Sequence, residues 1–489
     1  MTGTQLMLLM VVPLLAGSVI AFGLDAFDRR RTALAVAIAG LLVTGVAGIW
    51  GGLYVGASSI LGVVRVGGAT SALPGVIALC GALALLGGSR ILAERPGGGT
   101  TAGLVALGAA AAGAMVAAID LTTLLLAVEV SAVISYALVS ESKNTRSDEA
   151  AMKYFVQGSV ATGIFVMGMA VLVGLFAPSG HYTDLPGALS DPAMTGPAIV
   201  GILLTVSALA FKAGLAPFHT WAPDAYESAP PSSAAFLATG PKLGAIAALT
   251  VFVAAVATRP LAEKYVPILL ALSIVSVIVG SVGALGQRSY LRMLAYAGIA
   301  QAGYALLAVS LFDLTSTAFF LSTYAVASVG VFLAADAFRA ANPSWDGTIA
   351  GMAGMGRTAP VASTTVGVFL VSLAGIPPLL GFWGKFQVFA TAVYGSASEL
   401  LGGGSALIGW MLAIAVVVAL LGSVISIGYY GSVLRSLYLL AAPSEPELPA
   451  RQGRALPVVL VCIAAIVVVL GIAPAIWGYS FLVTPFVKH

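Results

Sequence analysis

The chain has 489 residues, 60% of them hydrophobic and only 8% charged, with a net charge of +3. Soluble domains carry roughly a quarter charged residues, and no soluble fold could hide this much apolar surface, so the bilayer must be the solvent. Cys80 and Cys462 each stand alone in an apolar run, which leaves no thiol pair spaced for a disulfide framework or a metal centre.

The N-terminus carries no basic stretch, and its apolar run meets Arg29-Arg30-Arg31 at the far end. That order predicts an uncleaved first span rather than a secretory signal. Apolar windows of about 20 residues, the length that crosses a bilayer, then recur almost without pause. Spans are expected near 5–24, 32–53, 71–92, 101–119, 121–140, 150–175, 197–220, 231–257, 265–286, 289–311, 314–338, 359–397, 405–438 and 456–482. The fold class is therefore an all-α polytopic membrane protein of about fourteen transmembrane helices.

Basic residues test that plan. With the N-terminus outside, inner loops collect Arg29, Arg30, Arg31, Arg90, Arg95, Lys143, Arg146, Arg288, Arg292, Arg339, Arg357, Arg435, Arg451 and Arg454. Outer loops receive only Arg65, Arg259, Lys264 and Lys488. The partition obeys the positive-inside rule with both termini outside, and an odd number of spans would scramble it.

Two spans are interrupted. The seventh contains Lys212-Ala213-Gly214-Leu215-Ala216-Pro217, and the twelfth contains Gly375-Ile376-Pro377-Pro378. Proline removes a donor and clashes with the preceding turn, so each break frees carbonyls that need new partners at membrane depth. Paired interruptions suggest two inverted five-helix repeats, spans 4–8 and 9–13, with an ion path at the breaks; two unrelated proline kinks are the alternative. The expected division is 1–100 for helices 1–3, 101–257 and 258–440 for the repeats, and 441–489 for helix 14.

The longest polar connections, 141–149, 178–196, 339–358 and 441–455, are too short to fold into a nucleotide, flavin or iron–sulfur domain. Gly97-Gly98-Gly99 lacks the lysine of a P-loop and the strand of a dinucleotide fold, so it reads as a turn. Neither redox chemistry nor ATP hydrolysis is expected of this polypeptide alone.

Lys153, Lys212, Lys242 and Lys385 lie inside apolar stretches, where a charge costs about 2.5–3.5 kcal/mol on insertion scales. Burial favours a neutral amine and a nearby carboxylate favours the ammonium, so a lysine balanced between them can exchange a proton. Arginine would stay charged. Glu129 is mid-span in Leu126-Ala127-Val128-Glu129-Val130, and the next span offers Lys153 as its partner. An inert packing pair is the alternative there. His219, after the first break, either relays protons or caps freed backbone. Asp336, Asp224 and Glu227 read as solvated carboxylates at span ends, and Trp345 and Tyr479 as interfacial anchors.

Phe211-Lys212 through Pro217-Phe218-His219-Thr220-Trp221-Ala222-Pro223-Asp224-Ala225-Tyr226-Glu227 resembles the signature of the antiporter-like membrane subunits of respiratory complex I. So do Lys153-Tyr154-Phe155, Gly240-Pro241-Lys242, Arg292-Met293-Leu294-Ala295-Tyr296 and Gly381-Phe382-Trp383-Gly384-Lys385-Phe386. The similarity runs from about 110 to 400 and is nearest the subunit N branch. Lys385 supports that, because the M branch is acidic there; Gln301 stands where many relatives have histidine. The resemblance implies a charge pair of Glu129 and Lys153, a central protonatable Lys212, a connecting Lys242, and Lys385 nearest the outer exit.

It further implies proton translocation in a bacterial cell membrane, driven by NADH oxidation by quinone. NADH, FMN, iron–sulfur clusters and quinone would be held by partner subunits of the membrane and peripheral arms; no cofactor, metal or nucleic acid is expected on this chain. A subunit of a multisubunit Na+/H+ antiporter or membrane-bound hydrogenase, or a non-pumping structural subunit, are the competing readings.

Overall fold

The computed structural model describes residues 1–189, 191–441 and 454–473. Arg451, Lys488, Tyr479 and the end of the fourteenth span lie outside the described residues. The long helices are α1 (Gly3–Ala26), α2 (Arg30–Tyr54), α3 (Ala69–Glu94), α4 (Gly98–Ala117), α5 (Leu121–Ser140) and α6 (Thr145–Leu175). After a short α7 (Leu185–Ala188) come α8 (Thr195–Ala213), α9 (Trp221–Ser228), α10 (Pro231–Ala255), α11 (Arg259–Leu285), α12 (Tyr290–Val309) and α13 (Leu314–Ala341). A short α14 (Met355–Thr358) precedes α15 (Pro360–Ala374), α16 (Leu380–Leu401), α17 (Ala406–Leu439) and α18 (Ala455–Ile472).

Twelve of the described helices are long and apolar enough to cross a membrane. In chain order, α12 and the broken pair α15–α16 fill the two remaining positions of the fourteen expected spans. Helix starts follow from side chains that satisfy orphan amides. Thr2, Asp120, Asn144, Ser289, Asp313 and Ser405 each accept from an amide of the first turn they open. Gly98-Gly99 becomes the start of α4, where Asp25 of the α1 end accepts from the Gly99 and Thr100 amides.

Both interruptions share one construction. Helix α8 stops at Ala213 with Gly214 at φ +72°, and α15 stops at Ala374 with Gly375 at φ +84°. These left-handed residues favour glycine, so the helices end at the glycine, three residues before Pro217 and two before Pro377. The sequence placed the break at the prolines; the glycine acts first. The chain then resumes as α9 and α16.

Helices α10 and α13 are almost enclosed by protein, whereas α1, α6 and α17 turn apolar faces outward. A membrane protein can do this because lipid accepts apolar surface as readily as the core does. Ion pairs Arg95–Glu141, Arg146–Glu227 and Arg292–Asp224 join connections that fall on one face. On the opposite face lies an unexpected hairpin, β1 (Ser58–Ile60) antiparallel to β2 (Val64–Val66). Val64 bridges Ala118 and Asp120 bridges His181 there.

Small residues let helices meet at backbone distance. A Cβ on Gly48 of α2 would lie 2.6 Å from the Cα of Gly75 on α3 and 2.8 Å from the Ser71 carbonyl. Gly48→Val should therefore destabilise by about 1–3 kcal/mol or more, read as a lower unfolding temperature in detergent. Gly23→Ala, where nothing lies within 4 Å, should leave that temperature unchanged or raised.

Candidate functional site

Lys212 occupies the last turn of α8, where the helix dipole and unpaired carbonyls favour a cation. Its Nζ is buried and has no hydrogen-bond partner among the described residues. It lies 6.0 Å from the centre of the Tyr154 ring and shares a small cavity with Glu129, Thr162 and Gly158. The cavity's open space of about 10 Å³ matches the room a single water needs. Glu129 accepts a 2.7 Å hydrogen bond from the Thr162 hydroxyl, and its charge acts on Lys212 across this space.

The expected Glu129–Lys153 pair is not formed. Lys153 is exposed and bonds Glu149 at 2.8 Å and Asp224 at 3.5 Å. The residue of α6 that faces Glu129 is Thr162, nine positions further on. Nine residues are about 13 Å of rise and two and a half turns, so Lys153 sits at another depth and on the opposite face. Lys212 is the lysine that shares a cavity with Glu129.

Lys242 is buried on α10, one residue after Pro241. Its Nζ donates to the Gly298 carbonyl of α12 at 3.0 Å and lies 5.7 and 5.9 Å from the ring centres of Tyr226 and Tyr324. Gly298 is what permits that approach: a Cβ there would lie 2.9 Å from the amine. One turn further along α12, Gln301 donates to the Leu373 carbonyl at 3.0 Å. The neighbouring carbonyl, Ala374, accepts from Lys385 at 3.0 Å, with the Ser423 hydroxyl at 3.2 Å. Lys385 also sits 4.8 Å from the Tyr304 ring centre. The second helix break thus gives its freed carbonyls to the two polar side chains nearest it.

Between Lys212 and Lys242 runs an aromatic contact path. Tyr154 stacks on Trp221 at 4.0 Å, and Trp221 meets Tyr226 edge-on at 5.8 Å. Trp221 itself donates to the Phe211 carbonyl, which also accepts from the Gly214 amide where α8 ends. His219 is half-buried, its ring 6.3 Å from Tyr296, and its Nδ1 has no partner among the described residues. It does not join the lysines directly.

Several charges are less solvated than expected. Glu227 and Asp224 form a cluster with Arg292, at 2.5 Å to Asp224 and 3.3 Å to Glu227, and Arg146 closes on Glu227 at 2.6 Å. Asp336 is buried, because α13 is packed on most sides, and it faces Arg95 and Arg339. Arg95 pairs with Glu141, and burial pushes its guanidinium below the ordinary value while Asp336 opposes that shift. Trp345 is no headgroup anchor: it is buried against Tyr290 and Phe338, donating to the Thr348 carbonyl at 2.8 Å. Sequence reasoning missed Thr162, Gly298 and Ser423. A hydroxyl or glycine inside an apolar helix was their only signal.

The model of the NADH:quinone oxidoreductase/Mrp antiporter transmembrane family matches residues 118–409. A curated relative from Rhizorhabdus wittichii, NADH-quinone oxidoreductase subunit N, is 34% identical over 456 residues, 90% of this chain and 88% of that one. A chain of respiratory complex I from Thermus thermophilus, solved with bound aureothin, superposes with a TM-score of 0.75 at 27% identity, covering 95% of this chain and 97% of the other. A chain of the membrane-bound sulfane sulfur reductase, an archaeal respiratory membrane complex, gives 0.80 at 22% identity over 98% and 96%, a likeness of fold alone. The chain belongs to the NADH:quinone oxidoreductase/Mrp antiporter transmembrane family.

Two substitutions test the geometry. Thr162→Val takes the hydroxyl donor from the half-buried Glu129 carboxylate and should destabilise by about 1–3 kcal/mol, whereas Lys153→Ala, at an exposed pair, should not move the unfolding midpoint. A calorimetric scan of each variant checks this; equal effects would contradict the assignment of Thr162 as the Glu129 partner.

Proposed function

We propose that this chain is a proton-translocating membrane-arm subunit of an NADH–quinone oxidoreductase, lying in a bacterial cell membrane with its N-terminus outside. The observation that carries the reading is the placement of Lys212, Lys242 and Lys385. All three are buried, one stands at each helix break and one between them, and each amine lies beside a tyrosine ring. The near full-length similarity to a subunit N favours this over an antiporter or hydrogenase role. Residues 101–257 and 258–440 are read as the two inverted repeats, which puts one break in each.

Each lysine has a distinct task. Glu129 holds Lys212 as an ammonium while the carboxylate is charged; when a change in the neighbouring subunit compensates Glu129, burial favours release of the proton from Lys212. Lys242 receives and passes it, with the Gly298 carbonyl and two tyrosine faces stabilising the transient cation. Lys385 is the last amine, and the Ala374 carbonyl and Ser423 hydroxyl hold it until the proton leaves. Lys153, on the flank with Asp224, is read as tuning the entry side, and His219 as a second proton carrier beside the first break. NADH, FMN, iron–sulfur clusters and quinone belong to partner subunits in this account, so the driving signal reaches the chain as charge or movement.

Lys212→Ala should slow proton uptake into vesicles by about a hundredfold or more, the scale of removing one proton-transfer group, while the complex still assembles. Full pumping by an intact variant complex would make the chain a scaffold. Lys242→Arg keeps the charge but not the ability to lose it, and should also block pumping; normal pumping there would remove deprotonation from the role of Lys242.

A further inference from the structure

A cavity of about 440 Å³ lies between α1, α3, α4 and α5, away from the lysines and on the hairpin face of the molecule. Its size is that of a small-ligand pocket. Its walls are apolar, including Met10 and Leu14 of α1 and Ala110 and Ala114 of α4. It opens sideways, because the rim residues Val11, Leu15, Leu126 and Val130 are all exposed on the lipid-facing surface.

Its depth identifies the occupant. Along α4 the lining runs from Leu107 to Ala117, ten residue steps or about 15 Å of helix, which is half of a hydrocarbon core about 30 Å thick. The cavity therefore spans one leaflet and stops at the bilayer midplane. At its outer end Val64 and Val66 of β2 complete the wall. Arg65 stands between them, exposed, with no carboxylate paired to it among the described residues. Strand alternation turns its side chain from the apolar wall to the aqueous side, the level of a headgroup.

We propose that this cavity binds one acyl chain of a glycerophospholipid from the leaflet on the hairpin side, with the phosphate at Arg65. A guanidinium is well suited to a phosphate. A quinone fits less well, since its two carbonyl oxygens need donors and, of the three lining hydroxyls, Thr44 and Thr70 already donate to the Met10 and Gly67 carbonyls, which leaves Thr123 to serve one of them. Ala127 and Val130, which line the cavity, flank Glu129 in sequence. The bound chain thus braces the helix that carries the Glu129 carboxylate.

The test uses the intact complex in vesicles of phosphatidylethanolamine and phosphatidylglycerol, doped with a phosphatidylglycerol carrying a diazirine in one acyl chain. Photolysis and peptide mass spectrometry should find label on α4 at 107–117 in excess over the lipid-facing positions Val417 and Leu420 of α17. Leu126→Trp, at a rim position 61% exposed where a larger side chain does not challenge folding, should cut the α4 label about tenfold by obstructing the opening. Arg65→Ala should lower it as well, and a diazirine-bearing quinone should not reproduce it. Label on α4 no greater than on α17, or unchanged in Leu126→Trp, overturns the site. Unchanged label in Arg65→Ala overturns the phosphate assignment, and stronger labelling by the quinone overturns the ligand class.

Discussion

A buried ammonium group needs acceptors, and an unbroken helix, whose carbonyls already serve its own amides, offers one only where its surface is bare, as at the Gly298 carbonyl that Lys242 reaches. The two glycine-terminated breaks resolve that conflict. Where α15 stops at Gly375, the Ala374 carbonyl is released to Lys385 and the Leu373 carbonyl to Gln301. Where α8 stops at Gly214, the Phe211 carbonyl goes to Trp221 and Lys212 is left at the helix end without a partner of its own. Lys212 and Lys385 are held away from lipid where helices are interrupted, and Lys242 where a glycine lets it reach an intact one.

The two breaks are built alike but loaded differently. Lys385 has a carbonyl, a hydroxyl and an aromatic face, a set that holds a cation without any carboxylate. Lys212 has instead a carboxylate across a space of about one water. The Glu129 carboxylate is therefore part of the surroundings of Lys212, whereas Lys385 is held by neutral dipoles. On the proposed reading this asymmetry gives proton transfer a direction: a change at Glu129 acts beside Lys212 and leaves the groups that hold Lys385 unchanged.

The breaks, three of the four lysines expected to be buried and most helix starts were legible in the sequence, because glycine, proline and charges in apolar runs act locally; the fourth, Lys153, is exposed. Pairing between helices was not. Glu129 and Lys153 are on adjacent spans, yet which α6 residue faces Glu129 depends on the axial offset and rotation of two packed cylinders, and the answer was Thr162. Asp336 and Trp345 were misread for the same reason: their positions near a helix end suggest water, but neighbouring helices cover them. The β1–β2 hairpin was missed because three-residue strands leave too short an alternation to stand out between apolar spans.

The claim at the centre of this account is that Glu129 and Lys212 act as one unit. A double-mutant cycle with Glu129→Gln, Lys212→Ala and the combined variant, scored as protons moved per NADH oxidised by the assembled complex in vesicles, tests it most directly. The account predicts a double variant no worse than the poorer single one, since each substitution already disables the pair. Losses that multiply, as for two independent sites, would contradict it.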